Sequence, residues 1–145
     1  MISGAWDAAT VEAYLVNTKT PLRLSCQRGS GYPAIASLWY LWRDNSLWCA
    51  TQKSAAVAKL LKVDPKCGFE VATNTMPYMG VRGFGDAIIH DDIGNDILRE
   101  LLARYEIAPG SRLSRWLLSR TTPEVAIEIA PGAIQSWDYS DRMRT

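Results

Sequence analysis

The chain is poor in the residues on which metal, disulfide and hydrolase chemistry depends. It has one histidine, His90, and three cysteines, Cys26, Cys49 and Cys67, among 145 residues. Zinc takes several His or Cys ligands at recognisable spacing, so no metal site is expected. The cysteines are odd in number, form no C-x-x-C pair, and each falls in an apolar run. They read as buried, reduced core residues rather than a disulfide framework. One histidine also leaves no Ser-His-Asp set, and Gly29-Ser30-Gly31 lacks the spacing of a nucleophile elbow. Gly83-x-Gly85 lies inside a strand pattern, not between a strand and a helix, which excludes a dinucleotide-binding fingerprint. His90 itself, beside Asp91 and Asp92, reads as a surface residue.

Charge of one sign is lacking too. Sixteen basic residues face fifteen acidic ones, for a net charge of +1, without a long run of either. Nothing here favours nucleic acid or an anionic membrane as a partner. No apolar run approaches the roughly 20 residues of a membrane span, and MISGAWDAAT is not a basic segment followed by an apolar one. A cytoplasmic location is the expectation. With 48% hydrophobic residues the chain can bury a sizeable core, and its length suits a single domain over 1–145.

What is present centres on residues 33–71. Pro33 to Trp42 is apolar-leaning throughout, Arg43-Asp44-Asn45-Ser46 is a turn, and the apolar pattern resumes at Leu47 to Thr51. In 33–42 both alternating sets are apolar, so that strand needs cover on both faces, from a helix, a partner or a ligand. A helix over 54–63 follows directly. Its start brings the Lys53 ammonium, the Ser54 hydroxyl and free backbone N–H groups to one corner, which suits a phosphate.

Around this stretch, 7–17 reads as a short helix capped by Asp7, and Leu22, Leu24 and Cys26 mark a half-buried strand. Further strands are expected at 67–72, at 81–89 with a bend at its two glycines, at 125–129 and at 133–138. Helices are expected at 91–105, capped by Asp91 or Asp92, and at 111–119 with Leu113, Trp116 and Leu117 inward. Residues 73–80 read as a loop. The fold class is mainly β with covering helices: six or seven antiparallel strands in a closed sheet.

The order of these motifs carries a resemblance. L-W-Y-L-W, a turn, L-W-C-A-T, a helix, D-P, a strand, V-R-G-F-G-D-A and the closing V-A-I-E-I-A-P-G-A-I-Q-S-W-D-Y together resemble the FMN-binding split-barrel family related to pyridoxamine 5'-phosphate oxidase. The likeness covers roughly residues 20 to 140. It implies a six-stranded antiparallel split β-barrel, a homodimer with FMN sites between subunits, a small-molecule substrate and oxidoreductase activity in which the flavin performs the chemistry.

The same resemblance implies where FMN binds. Lys53, Ser54 and Arg82 are the phosphate candidates; Ser37, Leu38, Trp39, Ala50, Thr51 and Gln52 are the ring candidates, with Trp137 beside them. No catalytic acid or base is implied. The chain departs from the family pattern R-K-x-R-N-L-x-x-D-P: aligned on Asp64-Pro65, the usual Lys falls on Val57, the second Arg on Lys59 and the Asn on Leu60. Losing one charge-assisted phosphate contact costs about 1.5–3 kcal/mol. Two alternatives therefore stand beside FMN. One is an F420-dependent reductase of the same fold, with Lys53, Lys59 and Lys62 lining a basic groove; the other is a non-enzymatic split-barrel dimer without flavin. Loop 73–80 and segment 106–120 are the expected substrate walls.

Overall fold

A computed structural model describes all 145 residues. Eight strands and four helices follow in the order β1 (Ile2–Gly4), α1 (Ala8–Asn17), β2 (Leu22–Gln27), β3 (Pro33–Leu38), β4 (Leu41–Arg43), β5 (Ser46–Gln52), α2 (Ala56–Val63), β6 (Lys66–Ala72), β7 (Met79–His90), α3 (Gly94–Arg104), α4 (Arg112–Leu118) and β8 (Glu124–Asp138). They form one sheet, ordered β3-β2-β6-β7-β8-β5-β4, in which all neighbours are antiparallel; β1 adds to β8 in parallel. Six longer strands carry the barrel. The two three-residue strands account for the excess over the expected six.

The expected strand at 33–42 is two strands. β3 pairs with β2 at one edge of the sheet and β4 pairs with β5 at the other, and β3 and β4 do not pair with each other. Trp39 and Tyr40 turn the corner between them. The run that reads as continuous thus closes the barrel covalently while leaving it split along that seam. Asp44 and Asn45 form the two-residue hairpin turn, both at positive φ (54° and 58°), a conformation that short polar side chains tolerate best.

The barrel interior holds Leu22, Leu24, Leu47, Cys49, Phe69, Val71, Val81, Ile127 and Ile129, with α1 contributing Val11 and Leu15 and α2 contributing Val57 and Leu61. The cysteines lie here, all free and buried. Burial pushes the Cys49 thiol up to about 12 and Cys67 to about 11, each helped by a neighbouring thiol. A smaller cluster on the outside of the sheet joins Trp48 and Ala126 to Ile97 and Leu101 of α3. β5 is consequently covered on both faces.

Three local devices fix this arrangement. Arg104 at the end of α3 donates to the carbonyls of Leu15, Val16 and Thr18, the last turn of α1, and to that of Tyr40. A cation there satisfies helix-end acceptors that would otherwise be orphaned. β8 runs unbroken through the Pro131-Gly132 region with a register shift against Phe84 and Gly85, so the two expected strands at 125–129 and 133–138 are one. A side chain at Gly83 would meet the Ala133 carbonyl at 2.1 Å, which is why the bend needs glycine.

Other differences are local. α2 starts at Ala56, and its N-cap, Ala55, has no side-chain bond, so Ser54 lies before the cap. α3 is entered from Ile93 without a side-chain cap, and Asp91 takes Lys62 at 3.1 Å instead. β7 begins at Met79, inside the expected loop. Asp7 caps α1 as expected, accepting from the Thr10 N–H at 2.9 Å.

Candidate functional site

The seam of the barrel is where the sequence candidates gather. β4 last pairs with β5 at Leu41–Trp48, so Ala50 to Gln52 run on with one edge free of a strand partner, and the outer edge of β3 is likewise free. Between these edges lies a cavity of about 340 Å³. Its floor is Ser37, Leu38 and Trp39 from β3 and the corner, with Ala50 and Thr51 from β5; its walls are Leu98 and Leu101 of α3 and Leu113 and Leu117 of α4. Strand edges carry backbone donors and acceptors, so the seam offers them to a ligand together with an apolar slot.

Each wall has a physical cause. Trp39 is held by Tyr105, whose ring stacks on it at 4.9 Å and 15°, while the Tyr105 hydroxyl accepts from the Tyr40 N–H at 3.3 Å. Gly94, at the start of α3, lies so close to Glu124 that an added Cβ would meet the Glu124 carbonyl at 2.2 Å, which seats α3 directly on β8. α4 departs from expectation. Its cap, Ser111, accepts from Ser114 N–H and Ser114 is buried, whereas Leu113 (42%) and Trp116 (59%) remain exposed. The apolar face of α4 is thus not spent on the core, and Leu113 borders the cavity.

Sequence reading missed one charged residue that lines the cavity and the carboxylate that holds it. Arg120 lines the cavity, and its guanidinium is bonded to Glu124 and lies over Trp116 at 5.3 Å. The Glu124 side chain is only 3% exposed and that of Arg120 20%. Neither is fully satisfied: Arg120 Nε and Glu124 Oε2 are buried without partners. In the sequence R-T-T-P-E these two residues carry no visible signal, because their i,i+4 spacing falls in a connection, not a helix.

Gln52, Lys53 and Ser54 follow directly at the end of β5. Gln52 pairs with Glu124, and the Lys53 N–H donates to the Pro123 carbonyl at 2.8 Å. The Lys53 ammonium is exposed and lies 3.9 Å from Asp91, the carboxylate that Lys62 also approaches. Val57 is 9% exposed in the barrel core, with Leu60 packed against it, so burial dictates their apolar character.

Arg82 and Trp137 lie elsewhere. They pack on each other, with Arg82 Cζ 4.8 Å from the Trp137 ring, and Arg82 Nε donates to Gln135 at 2.9 Å and forms no pair with Asp86. Trp137 is 13 residues along β8 from Glu124, roughly 40 Å of extended strand. Within one chain, therefore, five of the ten candidates line the seam cavity, three follow directly at the end of β5, and two lie apart. Loop 73–80 is also remote from it: the Tyr78 carbonyl accepts from Tyr139 N–H. His90 is not a free surface residue. It is half-buried, bonded to Glu128 at 2.9 Å and stacked on Trp48 at 5.3 Å, and Glu128 accepts from Ser46 Oγ at 3.0 Å.

Comparison with known proteins gives no match to a protein-family model and no match among curated proteins. Solved structures do match. A conserved hypothetical protein from Mycobacterium tuberculosis superposes with a TM-score of 0.79 at 18% identity, over 99% of this chain and 91% of that one. An F420 reductase gives 0.68 at 20% identity, over 90% and 98%. A putative pyridoxamine 5'-phosphate oxidase from Listeria innocua gives 0.65 at 14% identity, over 88% and 93%. Together with the strand order and the unpaired seam, these likenesses establish that the chain has the split β-barrel fold of the pyridoxamine 5'-phosphate oxidase-like proteins.

Proposed function

We propose that the chain is an FMN-binding flavoprotein oxidoreductase of the pyridoxamine 5'-phosphate oxidase-like class, acting as a homodimer on a small molecule. The observation that carries the reading is the seam cavity. Apolar walls, an aromatic floor at Trp39, the hydroxyl-bearing Ser37 and Thr51 and the one charge of Arg120 fit a flat ring with one hydrogen-bonding edge. When bound, FMN would supply the hydride or electron transfer. The protein's own part is to bind and orient: Ser37, Leu38, Trp39, Ala50, Thr51 and Gln52 around the ring, and Lys53 and Ser54 toward the phosphate.

A second copy accounts for Arg82 and Trp137. On the outer face, one cross-strand row runs Ile35, Ser25, Gly68, Phe84, with exposed Ile35 (74%) and Phe84 (63%) flanking a floor of small residues. Such a row is self-complementary, and burying it in a two-fold dimer would cover the unpartnered face of β3 and bring the partner's Arg82 row toward the seam. No helix is long and apolar enough to cross a membrane.

A specific observation favours the F420 alternative. Lys53 and Lys62 converge on Asp91, and a more acidic cofactor tail would find cations already grouped there. The flavin-free alternative rests on Val57 and Leu60, which pack on the core and leave no phosphate cation at those positions. The visible absorption spectrum of freshly purified protein, followed by titration of the colourless form with FMN and with F420, separates the readings. Saturable quenching by FMN at one equivalent per subunit is expected. Saturation by F420 alone would move the fold to deazaflavin chemistry, and binding of neither would leave a non-enzymatic dimer.

A further inference from the structure

The seam cavity has one charged group in its lining, and that group is not among the residues expected from sequence. Arg120 reaches it from the connection between α4 and β8, held by Glu124, whose carboxylate is almost wholly buried. A charge at the edge of an aliphatic slot has lost part of its water, a cost that an occupant carrying acceptors would offset. Replacing a buried ion pair by apolar residues usually costs little, so an arginine kept as the one charge in this lining points to a ligand that uses it.

We infer that Arg120 is the anchor for the acceptor edge of the ring that fills this cavity, with Glu124 as its positioning residue. The inference rests on the flavin reading above. An isoalloxazine has an apolar dimethylbenzene end and a pyrimidine end rich in acceptors, and the latter gains negative charge when the ring is reduced. Leu98, Leu101, Leu113 and Leu117 suit the first end, and Arg120 alone offers charge to the second. Glu124 fixes the guanidinium from behind, and Trp116 lies against it at 5.3 Å. Arg120 therefore recognises the ring and not the phosphate, which is left to Lys53 and Ser54.

The test compares FMN with riboflavin, which lacks the phosphate, in wild type, Arg120→Gln, Arg120→Lys, Glu124→Gln and Lys53→Ala, with far-UV circular dichroism to verify folding. Arg120→Gln should weaken both ligands by the same factor, about ten- to a hundredfold, as expected for one charged hydrogen bond. Lys53→Ala should weaken FMN alone. The midpoint potential of bound FMN, set against a reference dye under dithionite, should fall in Arg120→Gln and be largely restored in Arg120→Lys, whereas Glu124→Gln, which removes a negative charge beside the ring, should raise it while weakening both ligands. A merely structural role would weaken binding without moving the potential. Unchanged binding and potential in a folded Arg120→Gln would overturn the inference and leave the flavin reading standing. Weakened FMN with unchanged riboflavin would make Arg120 a phosphate ligand and overturn it as well. If wild type binds neither ligand, the flavin reading fails and takes this inference with it.

Discussion

The two faces of β5 meet different surroundings. Leu47 and Cys49 point into a barrel filled by aliphatic and aromatic side chains, whereas Trp48 and Ala50 look outward to α3 and the seam cavity. Inside, the core residues are apolar, and the Tyr40 hydroxyl lies 2.7 Å from both the Leu15 and Thr18 carbonyls. Outside, an arginine nitrogen and a carboxylate oxygen are buried unpaired and an apolar helix face is left half open. Unpaired polar atoms also occur at Thr20, Arg23 and Trp42, so the half-open apolar helix face beside a lone charge is what marks the outer side. The contrast separates the side that holds the fold together from the side proposed to bind.

The inner face should break most severely. Ile127→Ala, at a fully buried position opposite Cys49, should cost about 3–4 kcal/mol in urea unfolding, because lost burial and a residual cavity add. Arg104→Ala comes next. It strips four carbonyls of a charged donor and detaches α1 from α3, and about 2–3 kcal/mol of stability should go with it. Both losses should appear without any ligand.

On the outer face the effects should appear in binding. Trp39→Ala removes the aromatic floor and should weaken FMN about tenfold, close to 1.4 kcal/mol, with a smaller loss of stability than Ile127→Ala. Equal losses of stability and binding would dissolve the distinction between the faces. Substituting Phe84→Asp on the outer row should shift sedimentation toward monomer, and a dimer that persists would show that another surface joins the copies.

The smallest effect near neutral pH concerns Cys49. Burial raises its folded value from 9.0 to about 12, so folding favours the neutral thiol. That contribution is fully present below pH 9 and is lost as pH rises toward 12. Thiol reagents should accordingly label Cys49 in the unfolded chain and not in the folded one at pH 8.

Local patterns determined much of this protein by themselves. Strict alternation in 22–27 and 125–129, the Asp44-Asn45 turn, the Asp7 cap and the apolar stripe of α3 each reflect interactions among near neighbours in the chain, and the resemblance of motif order carried the barrel. Eight of ten candidate residues lay in 37–54, a continuous segment that folds as one hairpin and its flanks. What only the tertiary structure decided involves partners far apart in sequence. Whether 33–42 is one strand or two depends on which sheet edge each half joins, and both halves are equally apolar. The openness of Leu113 and Trp116 depends on what packs against α4, which periodicity cannot state. Arg120 enters the cavity because Gly94 seats α3 on Glu124, a contact across 30 residues of chain that no local spacing encodes.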